Sequence, residues 1–289
     1  MPRRIDGHQH FWKPARGDYH WMDADSAALD PLRRDHLPAE LLPLMQAAGV
    51  SHTVLVQAAA TEAETEFMLA LAEQHSWVAG VVGWVDLAAS DVSQRLAHLA
   101  AQGRLCGIRP MLQDLPDPEW LLRAPAPRAW QAMADLSLRL DALVNSQHLG
   151  ALDALARRHP QLPVVINHAA KPPLREGWHS PAMQAWRAHL SCFAAQPQVY
   201  CKFSGLLTEA GPLASLPAAV DVVRQVLDFL LETFGAARLI WGSDWPVLTL
   251  AASYERWTLV CEVLLGELTP QEQAQIWSGN AVAFYGLKL

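Results

Sequence analysis

The chain has 289 residues, of which 51% are apolar and 18% charged, and a formal net charge of −7. That balance excludes a disordered chain and argues against nucleic acid or an anionic membrane as partner, since both attract basic surfaces. No run of about 18 apolar residues offers a membrane span, and the start, Met1-Pro2-Arg3-Arg4, lacks the apolar stretch of a secretory signal. The expectation is a cytoplasmic protein, monomer or homodimer, acting on a small molecule. Cys106, Cys192, Cys201 and Cys261 are far apart without CxxC spacing and read as small core residues.

In chain order, the first predicted strand, Arg4 to His8, leads directly into His8-Gln9-His10. Residues two apart on a strand face the same way, so the two histidines can converge on one metal ion or one substrate atom. About 0.5 such pairs are expected by chance in this composition, so the motif needs support from elsewhere. Segment 11–38 lacks periodicity, carries Trp12, Tyr19 and Trp21, and reads as a loop over a binding site. Seven further short apolar runs follow: His52 to Gln57, Val78 to Trp84, Leu105 to Arg109, Arg139 to Val144, Leu162 to His168, Val199 to Ser204, and Arg238 to Asp244. Between them lie helical patterns such as Glu62 to Gln74, Asp91 to Gln102, Leu149 to Arg158, Ala182 to Ala195 and Ala218 to Phe234. Eight strand–helix units predict a single (β/α)8 TIM barrel domain spanning 1–289. A doubly wound sheet is the alternative, but no GxGxxG or GxxxxGK[ST] follows any strand. Thr269-Pro270-Gln271-Glu272 starts a final helix, running towards Asn280 and Phe284 and expected on the barrel exterior.

In such a barrel, catalytic residues stand at the C-terminal ends of several strands. Those ends carry His8 and His10, Gln57, Trp84 and Asp86, Arg109, Asp141 and Asn145, His168 with Lys171, Lys202 and Ser204, and Asp244. Asp244, in Gly242-Ser243-Asp244-Trp245-Pro246, can bind a metal or take a proton from water, or can simply cap a loop. His168 can ligate, shuttle a proton, polarise a carbonyl, or be structural. Arg109 suits carboxylate or ester oxygens, or an ion pair within the mouth. Gln57, Lys171 and Lys202 can read a substrate or satisfy other polar groups. The remaining histidines, such as His148, read mostly as surface residues, with His20 and His36 left open inside the long loop.

The runs Ile5-Asp6-Gly7-His8-Gln9-His10-Phe11-Trp12, Gly107-Ile108-Arg109-Pro110, His168-Ala169-Ala170-Lys171-Pro172, Cys201-Lys202-Phe203-Ser204-Gly205 and Gly242-Ser243-Asp244-Trp245-Pro246 resemble, in order and over the whole chain, the amidohydrolase-related branch of the amidohydrolase superfamily. Within it the chain is most similar to sugar lactonases of the L-fuconolactonase and L-rhamnonolactonase type. The resemblance implies a (β/α)8 barrel and hydrolysis at a lactone carbonyl, with His8, His10, His168 and Asp244 at the positions of the first, sixth and eighth strands. Metal-dependent members commonly add a ligand from strand 4 or 5, which Arg139-Leu140-Asp141-Ala142-Leu143-Val144 does not offer as a histidine. The resemblance therefore implies either one zinc held by His8, His10 and Asp244, or a metal-free route like that of the similar pyrone-dicarboxylate lactonases. Its implied roles are Asp244 as base, with His168 and His10 catalytic, Trp12, Trp84, Trp245 and Tyr19 as apolar walls, and Gln57, Arg109 and Lys171 as readers of hydroxyls. A zinc-dependent decarboxylase or C–C hydrolase with Arg109 on a carboxylate, and a non-catalytic sugar-acid-binding barrel, are the alternatives.

Overall fold

The computed structural model describes residues 3–289, so Met1 and Pro2, part of the start read for a targeting signal, lie outside it. Eight strands, β1 (Arg4–Gln9), β2 (Val50–Val56), β3 (Val78–Gly83), β4 (Leu105–Ile108), β5 (Arg139–Ala142), β6 (Val164–Ile166), β7 (Val199–Phe203) and β8 (Leu239–Trp241), form one sheet in sequence order. Each pairs in parallel with the next. The sheet meets itself just beyond β8, where the Asp244 N–H donates to the His8 carbonyl at 2.8 Å and the His10 N–H to the Trp245 carbonyl at 2.7 Å. The result is the expected (β/α)8 barrel. Among the described residues no helix is long and apolar enough to cross a membrane.

Local chemistry explains the outer helices. Thr61, Ser180, Ser215 and Ser253 each accept a backbone N–H three residues on, which satisfies a donor the first turn leaves unpaired. Helices Glu62–Gln74 and Leu149–Arg158 keep the bounds expected from periodicity. Helices Val92–Ala100, Pro181–Ser191 and Leu216–Phe234 shift by one to four residues at their ends, the usual uncertainty of a pattern without a cap.

The lower interior of the barrel is apolar: Ile5, Val54, Val82, Cys106, Val165 and Ile240 meet Ala281, Phe284, Tyr285 and Leu287 from the chain's end. This corrects the expectation of a wholly exterior final helix. The Thr269–Glu272 capping box does start a helix, Pro270–Ala274, and Trp277 packs on Trp241 at 4.8 Å. The following helix, Asn280–Tyr285, instead stoppers the N-terminal end of the barrel. Asn280 donates to the Ala236 and Leu239 carbonyls, both at 2.7 Å, and Arg139 donates to the Phe284 carbonyl. Helical periodicity reveals an apolar face, but not which surface covers it.

Segment 11–38 is ordered by its own side chains. Short 3₁₀ turns at Pro14–Arg16, His20–Asp23 and Ala27–Leu32 lie between Trp12 and His36, which bridge antiparallel. The Trp12 indole N–H donates to the Leu32 and Arg34 carbonyls at 3.0 and 3.1 Å, and that of Trp21 to Ala58 at 2.8 Å. His36 is buried between Trp12 and Trp245, whereas His20 is exposed. Two expectations need correction. Cys192 is exposed, unlike the three other cysteines, and His148 is buried, accepting the Asn145 N–H at 3.3 Å, because a helix start needs a local acceptor.

Candidate active site

The strand alternation holds for β1: His8 and His10 converge, with their Nε2 atoms 3.2 Å apart. Asp6, two residues earlier, accepts the His8 and Ser243 N–H groups at 3.1 and 2.8 Å and the Tyr254 hydroxyl at 3.0 Å. Burial pushes its carboxyl up to about 6. Asp6 thereby joins β1 to the turn that carries Asp244. Gly242 permits the close approach of that turn, since a Cβ there would lie 2.8 Å from the His8 Cβ.

Expected strand ends at His168 and Asp244 fall in turns instead. From His168 to Lys171 four successive residues take positive φ, between 50° and 56°, a left-handed turn costing each L-residue about 1–2 kcal/mol. Asp244 also has φ of 61°. The backbone leaves the sheet at these points and turns the side chains over the barrel mouth. His168 is held by Ser204 at 2.9 Å from Nδ1, and Gly205 is required beside it because a Cβ would stand 2.6 Å from that nitrogen. Asp244 Oδ1 ends 3.2 Å from His10 Nε2 and 3.6 Å from both His8 Nε2 and His168 Nε2.

Beneath the histidines runs a buried chain: Tyr285 donates to Asp141 at 2.8 Å, and Lys202 Nζ lies 2.5 Å from Asp141 and 3.0 Å from His8 Nδ1. Asn167 donates to Asp141 at 3.2 Å and lies 3.4 Å from Arg109. Gln57 is fully buried and donates to the Arg109 carbonyl at 2.6 Å, while the Arg109 guanidinium donates back to the Gln57 carbonyl.

The pocket at this mouth is lined by Trp12, His10, Arg109, His168, Lys171 and Asp244, six of the residues expected there. Four others stand elsewhere, Tyr19 among them, packed on Trp12. Gln57 braces Arg109 from behind. Trp245 packs on Phe11 and His36. The Trp84 backbone is tied to Thr65, and its side chain is not among the pocket residues. Position at a strand end fixes height in the barrel but not whether a side chain points inward or out among the helices. Trp21 comes from the long loop expected over the site, whereas sequence reasoning missed Met111, Gln113, Leu143, Thr208, Glu209 and Val247 among the lining residues. Leu143 and Met111 follow β5 and β4 closely enough for position to have found them, whereas Glu209 and Tyr285 carry no local signal.

Burial depresses the basicity of the histidines. His168 is pushed down to about 3, against the pull of Asp244 and with Lys171 adding to the fall, and His8 and His10 are lowered by the same desolvation. All three are neutral imidazoles at neutral pH. Burial also pushes the Asp244 carboxyl up, but His168, the His10 contact and Lys171 outweigh it, and the group sits below its ordinary range. It is ionised.

These proton positions bear on a metal. His10 Nδ1 faces the Val56 carbonyl at 2.7 Å, which only accepts, so neutral His10 carries its proton there and leaves Nε2 bare. That lone pair faces an ionised carboxylate at 3.2 Å. Ligands of a tetrahedral zinc with bonds of about 2.0–2.1 Å lie about 3.3 Å apart. His8, His10 and Asp244, with all donor atoms within 4.8 Å of one another, fit a divalent ion. His8 is subtler: an ammonium at Lys202 donates to its Nδ1, which places the His8 proton on Nε2, facing His10. Binding a metal there must displace that proton.

The amidohydrolase family model matches residues 5–287. The L-fucono-1,5-lactonase of Burkholderia ambifaria is 45% identical, with 99% of this chain and 96% of that protein covered. The L-fucono-1,5-lactonase of Burkholderia multivorans is 40% identical, with 98% and 96% covered. The crystal structure of an amidohydrolase from Burkholderia multivorans with bound zinc superposes with a TM-score of 0.89 at 38% identity, covering 99% of this chain and all of that one. With barrel, site and sequence in agreement over its length, the chain belongs to the amidohydrolase family.

Proposed function

We propose that this chain is a hydrolase that opens a sugar-acid lactone, an aldonolactone such as L-fuconolactone or L-rhamnonolactone, to the free acid. One carboxylate carries the reading: Asp244, ionised at the floor of a pocket and surrounded by three neutral imidazoles, in a chain 45% identical throughout to an L-fucono-1,5-lactonase. In this reading Asp244 takes a proton from water as the water oxygen bonds to the lactone carbonyl carbon. Arg109 and Lys171 face the oxygen that becomes anionic, and His168 presents Nε2 beside Asp244. The ring C–O bond then breaks, and Asp244 or His10 returns the proton to the departing ring oxygen, leaving a new hydroxyl and a carboxylic acid that releases its proton to solvent. Trp12 and Trp21 offer flat walls to the sugar's C–H face.

His8, His10 and Asp244 would hold one zinc ion, which supplies a Lewis acid for the carbonyl and a more acidic water. The Lys202–His8–His10 bonds also close without an ion, and the metal-free route uses the same side chains. The deciding experiment is a pH-indicator assay of aldonolactones, L-fucono-1,5-lactone first, with as-purified, chelator-treated and zinc-reloaded protein. We expect rapid acid release, one zinc per chain by elemental analysis, and loss of that zinc in His10→Ala. Failure to open any aldonolactone overturns the lactonase reading, and full turnover without metal assigns the metal-free route.

A further inference from the structure

The pocket walls carry a charge balance that the catalytic groups do not explain. Arg109 and Lys171 are its cations, and Asp244 and Glu209 its anions. The histidines are neutral, and Lys202 is matched beneath them by Asp141. Before any metal binds, the lining side chains therefore offset one another, and Glu209 is the group that offsets Lys171.

Glu209 lies on the short helix Leu206–Ala210 after β7, and Arg175 holds that turn through the Thr208 and Glu209 carbonyls at 3.3 and 3.2 Å. Its carboxylate faces Lys171 Nζ at 3.8 Å, with each side chain 29% exposed. That gap is too long for a hydrogen bond. Among the described residues no donor reaches the Glu209 carboxylate within hydrogen-bond distance. An acceptor pair on one side and an ammonium on the other thus stand ready for neighbouring hydroxyls, which donate to the one and accept from the other.

Building on the lactonase reading, we propose that Glu209 sets the charge class of the substrate: it accepts hydroxyl protons of an uncharged polyol lactone, cancels Lys171, and shuts out lactones that bear a free carboxylate. A carboxylate entering this end of the pocket finds Lys171 already matched and Glu209 repelling it. Without Glu209 this end of the pocket keeps Lys171 unmatched, a composition that suits an anionic lactone.

The test compares kcat/KM for a neutral aldono-1,5-lactone and for a hexaric acid monolactone, which carries a carboxylate at the far end, in the unaltered chain, Glu209→Gln, Glu209→Asp and Glu209→Gln/Lys171→Met. We expect the preference for the neutral lactone to fall at least about tenfold in Glu209→Gln, the scale of one partly screened unit charge. The change should appear chiefly in KM, rising for the neutral lactone and falling for the anionic one. Glu209→Asp should retain the preference, and the double variant, whose kcat falls on both lactones because Lys171 faces the oxyanion, should return the ratio of the two kcat/KM values towards that of the unaltered chain. An unchanged preference in Glu209→Gln, or an equal loss of kcat on both lactones, overturns the inference while leaving the lactonase reading intact. Inactivity of the unaltered chain towards every neutral lactone would remove both.

Discussion

The two ends of the barrel interior are built from the same eight strands to opposite ends. At the N-terminal end Ile5, Val54, Val82, Val165 and Ile240 close on Phe284 and Leu287, and dispersion and apolar burial stabilise the fold there. A few residues higher, His8, His10, Asp141, Lys202 and Asp244 are nearly or wholly buried, and burying them costs free energy that only partners offset. The boundary between the two is Tyr285, whose ring belongs to the stopper and whose hydroxyl reaches Asp141. The contrast teaches that stability and chemistry are separated along the barrel axis: the floor supplies the first, and the mouth spends it on the second.

That separation can be broken by substitution. The largest expected effect is at the floor, where Phe284→Ala should lower unfolding free energy by about 3–5 kcal/mol yet leave kcat per folded molecule nearly unchanged, since Phe284 does not line the pocket. Urea denaturation followed by rates on the folded fraction checks both. A collapse of kcat would mean that the stopper also shapes the mouth. Next, Asp244→Asn should reduce kcat by about 100-fold or more; near-normal turnover would end its role as base.

The smallest effect concerns Glu64, buried and accepting the Ala58 and Ala59 N–H groups at 2.9 and 2.6 Å beside the long loop. Burial pushes its carboxyl up to about 7 from 4.5. Below pH 4.5 folded and unfolded chains both hold the proton and nothing is lost. Between pH 4.5 and 7 only the unfolded chain releases it, so stability falls as pH rises. Glu64→Gln should therefore gain on the order of 2 kcal/mol at pH 8 and nothing at pH 4, measured as paired urea midpoints. A gain of equal size at both pH values would trace the effect to packing rather than charge.

Much of this was legible in the residue order. Alternating apolar strands and capped helices named the barrel, and His8, His10, Arg109, His168, Lys171 and Asp244 were marked as mouth residues that now line or floor one pocket. The errors share a cause. Trp84 and Gln57 follow β3 and β2 directly and Trp245 lies in the turn after β8, and nothing local says that they pack away from the pocket or behind Arg109. The final helix reads as exterior from the sequence because its apolar face does not say what it meets.

The sequence by itself determined which residues sit at each height of the barrel, because a two-residue repeat and a capped helix are short-range properties of the chain. Only the tertiary structure decided which of them meet. Asp141 finds Lys202 across 61 residues and Tyr285 across 144, and Asp244 finds His10 across 234. Closure of the sheet brings these groups within reach, and the left-handed turn at His168 to Lys171 and the positive φ of Asp244 aim the side chains at one point. Contacts of that range arise from the shared packing of strands distant in sequence, so no local pattern encodes them.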